Sequence, residues 1–408
     1  MNRSAGLRAG AILGLVLGFV PGALLFVLGF TAGAWVDQAY PEWVPYIGHR
    51  TESRIDLTGV QEAARVIQAD YVDTNVDTKK LSQGSVQGLV NSLGDPYSIY
   101  YDPEQYKRLQ QSYQGRYTGI GIYLSFSTTY PTITGTVPGS PAALAGLKPG
   151  DQIVKVADRD IKGITPEQAT TLVQGAEGTK VTLTIQRGSE ELTFTITRAQ
   201  IQLPTVRAAT VGNHVLYVRI YQFGTQTSSE FAKALKDGLP ESVGMVLDLR
   251  SDPGGFISAA DDVISQFVTS GETFETHGRD GVSRHQVGKT HNAPTIPLVV
   301  LVDANSASAA EIVAGSLQVH QRAKLVGTKT YGKGSVQEDF VLSDGSDVHL
   351  TVERWFLPNG VTIDKKGLTP DVTVQLAGAA DAYDVTQPSL GYAKDTQLNT
   401  ALTLLPGQ

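Results

Sequence analysis

The chain has 408 residues, 41% of them hydrophobic, enough to bury a sizeable core spread over two or three domains. A net charge of −7 without a basic run gives no reason to expect a nucleic-acid partner. Cysteine is absent, which excludes disulfides and thiol catalysis and is compatible with an oxidising compartment.

Arg3 and Arg8 precede a stretch, 9–36, that carries no charge and is closed by Asp37. It exceeds the ~20 apolar residues of a spanning helix and the ~7–15 of a signal-peptide core. The flanking arginines predict an N-terminus that stays inside and an exported remainder. Residues 1–36 are therefore expected to be one transmembrane anchor, followed by a linker over 37–56. The small residues Ala32-Gly-Ala34 keep a cleaved signal, and so a secreted chain, as the competing reading. Residues 57–114 read as a helical module. Val60, Ala63, Ala64, Ile67 and Tyr71 recur at helical spacing, Leu81, Val86 and Leu89 follow, and Gly94-Asp-Pro-Tyr97 makes a turn.

Residues 115–199 form a β-rich unit. Gly119-Ile-Gly-Ile122 leads into an extended stretch, and a Ser140-Pro-Ala-Ala-Leu-Ala-Gly-Leu-Lys-Pro-Gly-Asp151 run follows. Thr165, Pro166 and Gln168 make a helix start with an N-cap, proline at N1 and glutamine at N3. Residues 181–185 alternate like a strand with one wet face. The successive amides of Ile120, Gly121 and Ile122 suit a nest for a terminal carboxylate, with the bound peptide adding as an edge strand. The plain alternative is a tight β-turn.

From 200 to 376 strands alternate with helices, which argues for an α/β core. Strands are expected at 215–220, 243–250 and 297–302, and helices at 228–239, 259–268 and 307–317. Functional loops then belong at strand C-terminal ends. Pro253-Gly-Gly255 and the serines Ser306 and Ser308 fall at such ends, the serines beside a helix N-terminus whose free amides and dipole suit an oxyanion. Ser308-Ala-Ala-Glu311 is also S-x-x-E, a capping box, which explains the serine without chemistry. Downstream, Lys333 sits between Gly332 and Gly334. Residues 327–333 match G-x-x-x-x-G-K, but Gly334 replaces the Ser or Thr of a phosphate loop and 335–342 read as extended. None of the seven histidines stands in a catalytic setting, and H-E-x-x-H is absent. The tail, 377–408, ends in a short helical pattern without a legible role.

The Ser306-Ala-Ser-Ala-Ala-Glu-Ile312 and Tyr331-Gly-Lys-Gly-Ser-Val-Gln337 segments together resemble the signature of the carboxyl-terminal processing peptidases, serine–lysine proteases with an inserted PDZ domain. The similarity runs over about 60–374, with the motifs in the family's order. It implies an α/β protease core, the PDZ domain at 115–199 and the helical module before it. By position, Ser308 matches the nucleophile, Lys333 the general base and Gln337 the residue that orients the lysine. The oxyanion hole is expected at the amides of Gly254, with Gly255 as a further donor, and Ala309; Ile120, Gly121 and Ile122 match the carboxylate-binding loop. Ala310 stands where the family most often has serine. Gln337 is four residues from Lys333, about 13 Å along an extended strand, too far for contact unless the chain bends. The expected activity is exported, membrane-anchored endopeptidase action at the periplasm or cell surface on proteins with free C-termini. No cofactor or catalytic metal is called for, and the resemblance leaves room for a homo-oligomer or an adaptor protein. The different-class alternative is a non-catalytic PDZ scaffold on a protease-derived fold.

Overall fold

The computed structural model describes residues 55–125, 128–137, 139–293, 295–378, 381–386, 388 and 391–407. The expected membrane segment, 1–36, lies outside them. Among the described residues no helix is long and apolar enough to cross a membrane.

The chain divides into two compact units, 1–81 and 82–408. In the first, a helix forms over Thr58–Asp70 where the apolar stripe predicts one, yet none of its side chains is buried. The second unit is built on a six-stranded sheet. Its order is Val206–Val211, Val215–Ile220, Gly244–Asp248, Leu298–Val302, Lys324–Gly327, Val372–Thr373, with the first pair antiparallel and the others parallel. Both faces are covered, as parallel strands require. Leu216, Val218, Met245, Leu247 and Val300 pack with the helices Thr227–Gly238, Ile257–Ser265 and Ala309–Val319. The alternate residues Tyr217, Val246, Val299, Leu301 and Val326 face Leu398, Ala401 and Leu402 of the helix Thr396–Thr403.

The tail, whose short helix is legible in the sequence but whose role is not, thus closes the second face of the core. A buried ion cluster locks it there. Arg250, 2% exposed, lies 2.6 Å from Asp248 and 2.9 Å from Asp395. Asp395 also accepts the Leu398 amide and so caps the tail helix.

The β-rich insert carries its own sheet, in the order Ile122–Ser125, Thr132–Thr136, Gln152–Val156, Lys180–Arg187, Glu190–Thr197. Thr165 and Gln168 cap the helix Pro166–Val173 reciprocally, as their spacing predicts. At the root of the insert, Arg116–Gly119 pairs with Ala199–Gln202. A further antiparallel sheet joins Ile99–Tyr101, Asp347–Phe356, Glu272–Gly278 and Gly281–Gln286, with Ser335–Val341 also on Asp347–Phe356.

Candidate active site

The strand Leu298–Val302 ends in a turn whose two serines have different fates. Ser306 is fully buried, and its hydroxyl donates to the Leu249 carbonyl at 2.7 Å while accepting the Asp303 amide at 2.9 Å. Its oxygen is committed to joining two strand ends. Ser308 is half-buried and sits at the N-cap of the helix Ala309–Val319 with φ 55° and ψ −119°. That is the left-handed side of the map, strained by about 1–3 kcal/mol for a residue with a Cβ. The strain turns Ser308 out of the strand direction at the helix start. The Ala309 amide, at the first helical position, has no hydrogen-bond partner among the described residues.

Pro253-Gly-Gly255 meets this turn from the neighbouring strand. Gly254 has φ +94°, and a Cβ there would stand 2.7 Å from the Ser308 Cβ and 2.9 Å from the Ala309 nitrogen. Only glycine allows so close an approach. The structure departs from the simplest expectation in one respect. The Gly254 amide donates to Asp252 Oδ1 at 2.8 Å, so it is engaged, whereas the Gly255 amide has no partner among the described residues. Asp252 is fully buried, its Oδ2 has no partner among the described residues, and its own carbonyl accepts the Ala307 amide at 3.0 Å. Burial drives its carboxyl well above the usual carboxylate range, against the Gly254 hydrogen bond.

Glu311 organises the rest. The capping-box pattern accounts for one of its contacts, the Ser308 amide to Oε2 at 3.0 Å. The same Oε2 accepts the Lys333 amide at 2.9 Å, and Oε1 accepts the Thr330 hydroxyl at 2.5 Å and the Gly332 amide at 2.7 Å. One fully buried carboxylate therefore ties the backbones of Ser308 and Lys333 together. Burial raises its pKa, and the four donors oppose that shift.

Lys333 is half-buried, its carbonyl accepting the Trp355 indole N–H at 2.9 Å. Its Nζ lies 5.1 Å from the centre of the Tyr97 ring, in the turn read at 94–97. Desolvation lowers its pKa, and Asp95 and Glu311 pull in the opposite direction. Among the described residues no hydrogen bond joins Ser308 Oγ to Lys333 Nζ. The chain continues as the strand Ser335–Val341, not as the helix a phosphate loop needs.

Gln337 is directed elsewhere. A register shift between Val336 and Gln337 bends the strand, but the Gln337 amide donates to Ser335 Oγ at 2.9 Å and Thr351 Oγ1 at 3.0 Å, with no hydrogen bond to Lys333. His320, twelve residues past Ser308, ends the helix with its Nε2 on the Glu272 carbonyl at 2.8 Å.

In the insert, Ile120 is buried and Gly121 has φ +81° with space only for a hydrogen, since a Cβ would lie 2.3 Å from the Ser140 Cβ. The Ile120 carbonyl accepts the Ala142 amide at 2.8 Å, and the Gly121 carbonyl accepts the Val137 amide at 2.9 Å. These bonds hold the loop against the start of the helix Pro141–Ala145. Ile122 then opens the edge strand of the insert's sheet, paired on one side with Thr132–Thr136.

Comparison with known proteins places each part. Residues 214–374 match peptidase family S41, residues 132–187 match the PDZ domain, and residues 43–105 match the activating protease CtpB N-terminal domain. The carboxy-terminal processing protease CtpB of Bacillus subtilis (strain 168) is 33% identical over 323 residues, covering 78% of this chain and 67% of the relative. The carboxy-terminal processing protease CtpA of the same organism is 35% identical over 321 residues, covering 78% and 68%. A solved Bacteroides fragilis NCTC 9343 structure assigned to the S41 proteases shares the fold at 18% identity and a TM-score of 0.54. The match covers 84% of this chain and 96% of that one.

Proposed function

Given that the chain belongs to the carboxy-terminal processing proteases of peptidase family S41, serine-type peptidases, and carries a PDZ domain, we propose that Ser308 is its nucleophile and Lys333 its general base. The observation that carries this reading is the shared carboxylate oxygen of Glu311, which accepts both the Ser308 and the Lys333 amides. A lysine in water, with a pKa near ~10.4, is protonated at neutral pH and is no base. Desolvation lowers the Lys333 pKa and makes the neutral amine accessible. That amine takes the Ser308 proton as Oγ attacks a peptide carbonyl. The tetrahedral oxyanion draws on the Ala309 amide and on the Gly254–Gly255 turn; use of the Gly254 amide requires Asp252 to release it, whereas the Gly255 amide has no partner among the described residues. The lysine ammonium returns its proton to the leaving amine, and water then hydrolyses the acyl-enzyme. Gln337 contributes by orienting Lys333 once its amide turns from Ser335 and Thr351.

The substrate enters by its C-terminus. The loop at Ile120, Gly121 and Ile122 receives the terminal carboxylate, and the tail extends along the edge strand Ile122–Ser125. With the full-length protein, an unfolded substrate with a free apolar C-terminus is expected to be cleaved about thirtyfold faster than the same substrate with an amidated C-terminus. This corresponds to the ~2 kcal/mol of a hydrogen bond to a charged group. Equal rates would remove the tail from recognition.

The catalytic part works outside the membrane from an anchor at 1–36, a reading that rests on the uncharged stretch behind Arg3 and Arg8. The mass of the mature N-terminus in the membrane fraction tests this. A chain that begins at Met1 or Asn2 fits an anchor; one that begins at Trp35 is a cleaved, secreted protein.

A further inference from the structure

We propose that Asp339, Asp347 and His349 hold a divalent transition cation, outside the catalytic site. Two paired strands bring these residues together, and a third flanks them. Asp347 and His349 are two apart on the strand Asp347–Phe356, so their side chains leave the same face. On one side the register sets Asp339 opposite His349, and on the other it sets Tyr101 opposite Asp347. One potential ligand atom from each of the three lies within 4.8 Å of the others. Nothing in their sequence spacing marks them, because the pattern exists only once the strands pair.

The observation that asks for a ligand is Asp347. Its side chain is fully enclosed, and among the described residues neither carboxylate oxygen has a hydrogen-bond partner of good geometry, although the Phe340 amide lies close enough to favour its charged form. Among the described residues no lysine or arginine pairs with it. A buried carboxylate in that condition is strongly disfavoured, and in native proteins such groups are paired or coordinate a metal. Its one close titratable companion on the facing strand is another carboxylate, Asp339, whose Oδ1 is 2.6 Å from His349 Nδ1. The Tyr101 ring packs edge-on against His349, with centroids 5.9 Å apart. Two carboxylates and one imidazole balance the charge of a divalent ion. The imidazole favours zinc over calcium, which takes oxygen ligands, and the two carboxylates also suit manganese. Metal would displace the proton held between His349 and Asp339.

The site's place in the fold gives it a task. The strand of Asp339 starts two residues after Lys333, and the strand Ile99–Tyr101 follows the turn that lays Tyr97 beside Lys333. A cation here would pin the strand that follows Lys333 to Asp347–Phe356, the strand on whose other side Ile99–Tyr101 pairs.

The test is titration of the chelator-treated full-length protein with zinc, and separately with manganese, by calorimetry and thermal unfolding. One equivalent per chain and a higher melting temperature are expected for at least one of the two metals. Asp347→Asn, Asp339→Asn and His349→Gln should each weaken that equivalent by at least tenfold. Asp347→Asn removes a buried unpaired charge, so without metal it should melt no lower than the parent protein, which separates lost binding from lost folding. Absence of a bound equivalent of either metal would leave Asp347 to a shared proton and overturn the assignment. An equivalent bound as tightly by Asp347→Asn as by the parent would place the metal elsewhere and overturn it too.

Discussion

Ser308→Ala and Lys333→Ala are each expected to lower peptide-bond cleavage by about 10⁴-fold or more, and the double variant by little beyond either single one. Residues that act as one unit lose their effect together, because the second removal has no function left to destroy. The measurement is turnover of an unfolded substrate by the full-length protein and its variants, with thermal melting as the check on folding. Ser308 sits at a strained helix start and Lys333 in a loop held by Glu311, and neither side chain is fully buried, so both truncations should leave the fold intact. Ser306→Ala makes the contrast. It cuts the hydroxyl bridge to Leu249 and should cost roughly 1–3 kcal/mol of stability while sparing turnover. Activity that survives in Ser308→Ala and vanishes in Ser306→Ala would reverse the assignment. The pH profile supplies a second readout. Only the neutral amine accepts a proton, so the rate should rise with pH. The midpoint should lie below the ordinary lysine value of ~10.4, because burial lowers the Lys333 pKa. Lys333→Ala should abolish that limb along with most of the rate.

Glu311→Ala should be the most damaging substitution for stability near the site, by about 3–5 kcal/mol, read as a lowered urea midpoint. It strands the Ser308, Gly332 and Lys333 amides and the Thr330 hydroxyl, all of which point at one carboxylate. Glu311→Gln is not a conservative rescue. Each carboxylate oxygen accepts two donors, so an amide NH₂ opposes the Ser308 and Lys333 amides on one side, and on the other it still opposes the Gly332 amide even if the Thr330 hydroxyl turns to accept. Both variants should lose turnover as well, since the same oxygen sets the backbones of Ser308 and Lys333. A Glu311→Gln protein with parental stability and turnover would show that the carboxylate is not the organiser inferred here.

Local pattern made much of the architecture legible. The β-branched runs at 215–220 and 297–302 form strands at or within a residue of those limits because a strand covered on both faces must be largely apolar. The helix expected at 307–317 appears at Ala309–Val319, displaced because Ser308 takes a positive φ and postpones the first turn. The Thr165-Pro-Glu-Gln168 start needs only its own residues and forms as read. Glu311 was visible as half of a capping box, a local pattern that held no trace of its three contacts across 19 to 22 residues of chain.

What the sequence determined by itself was what can be written in neighbouring residues: the strand and helix runs, the glycines, and the family motifs that bear Ser308 and Lys333. Only the tertiary structure decided which of those residues meet. It gave Ser306 to a strand end and left Ser308 half-exposed, and it turned the Gly254 amide toward Asp252 and the Gln337 amide toward Ser335 and Thr351. It also laid the tail helix, whose role the pattern did not carry, over the second face of the sheet, with Asp395 on Arg250. The reason is physical. Propensity and periodicity act over a turn or a strand, whereas a buried polar group must find its partner wherever the packed chain brings one.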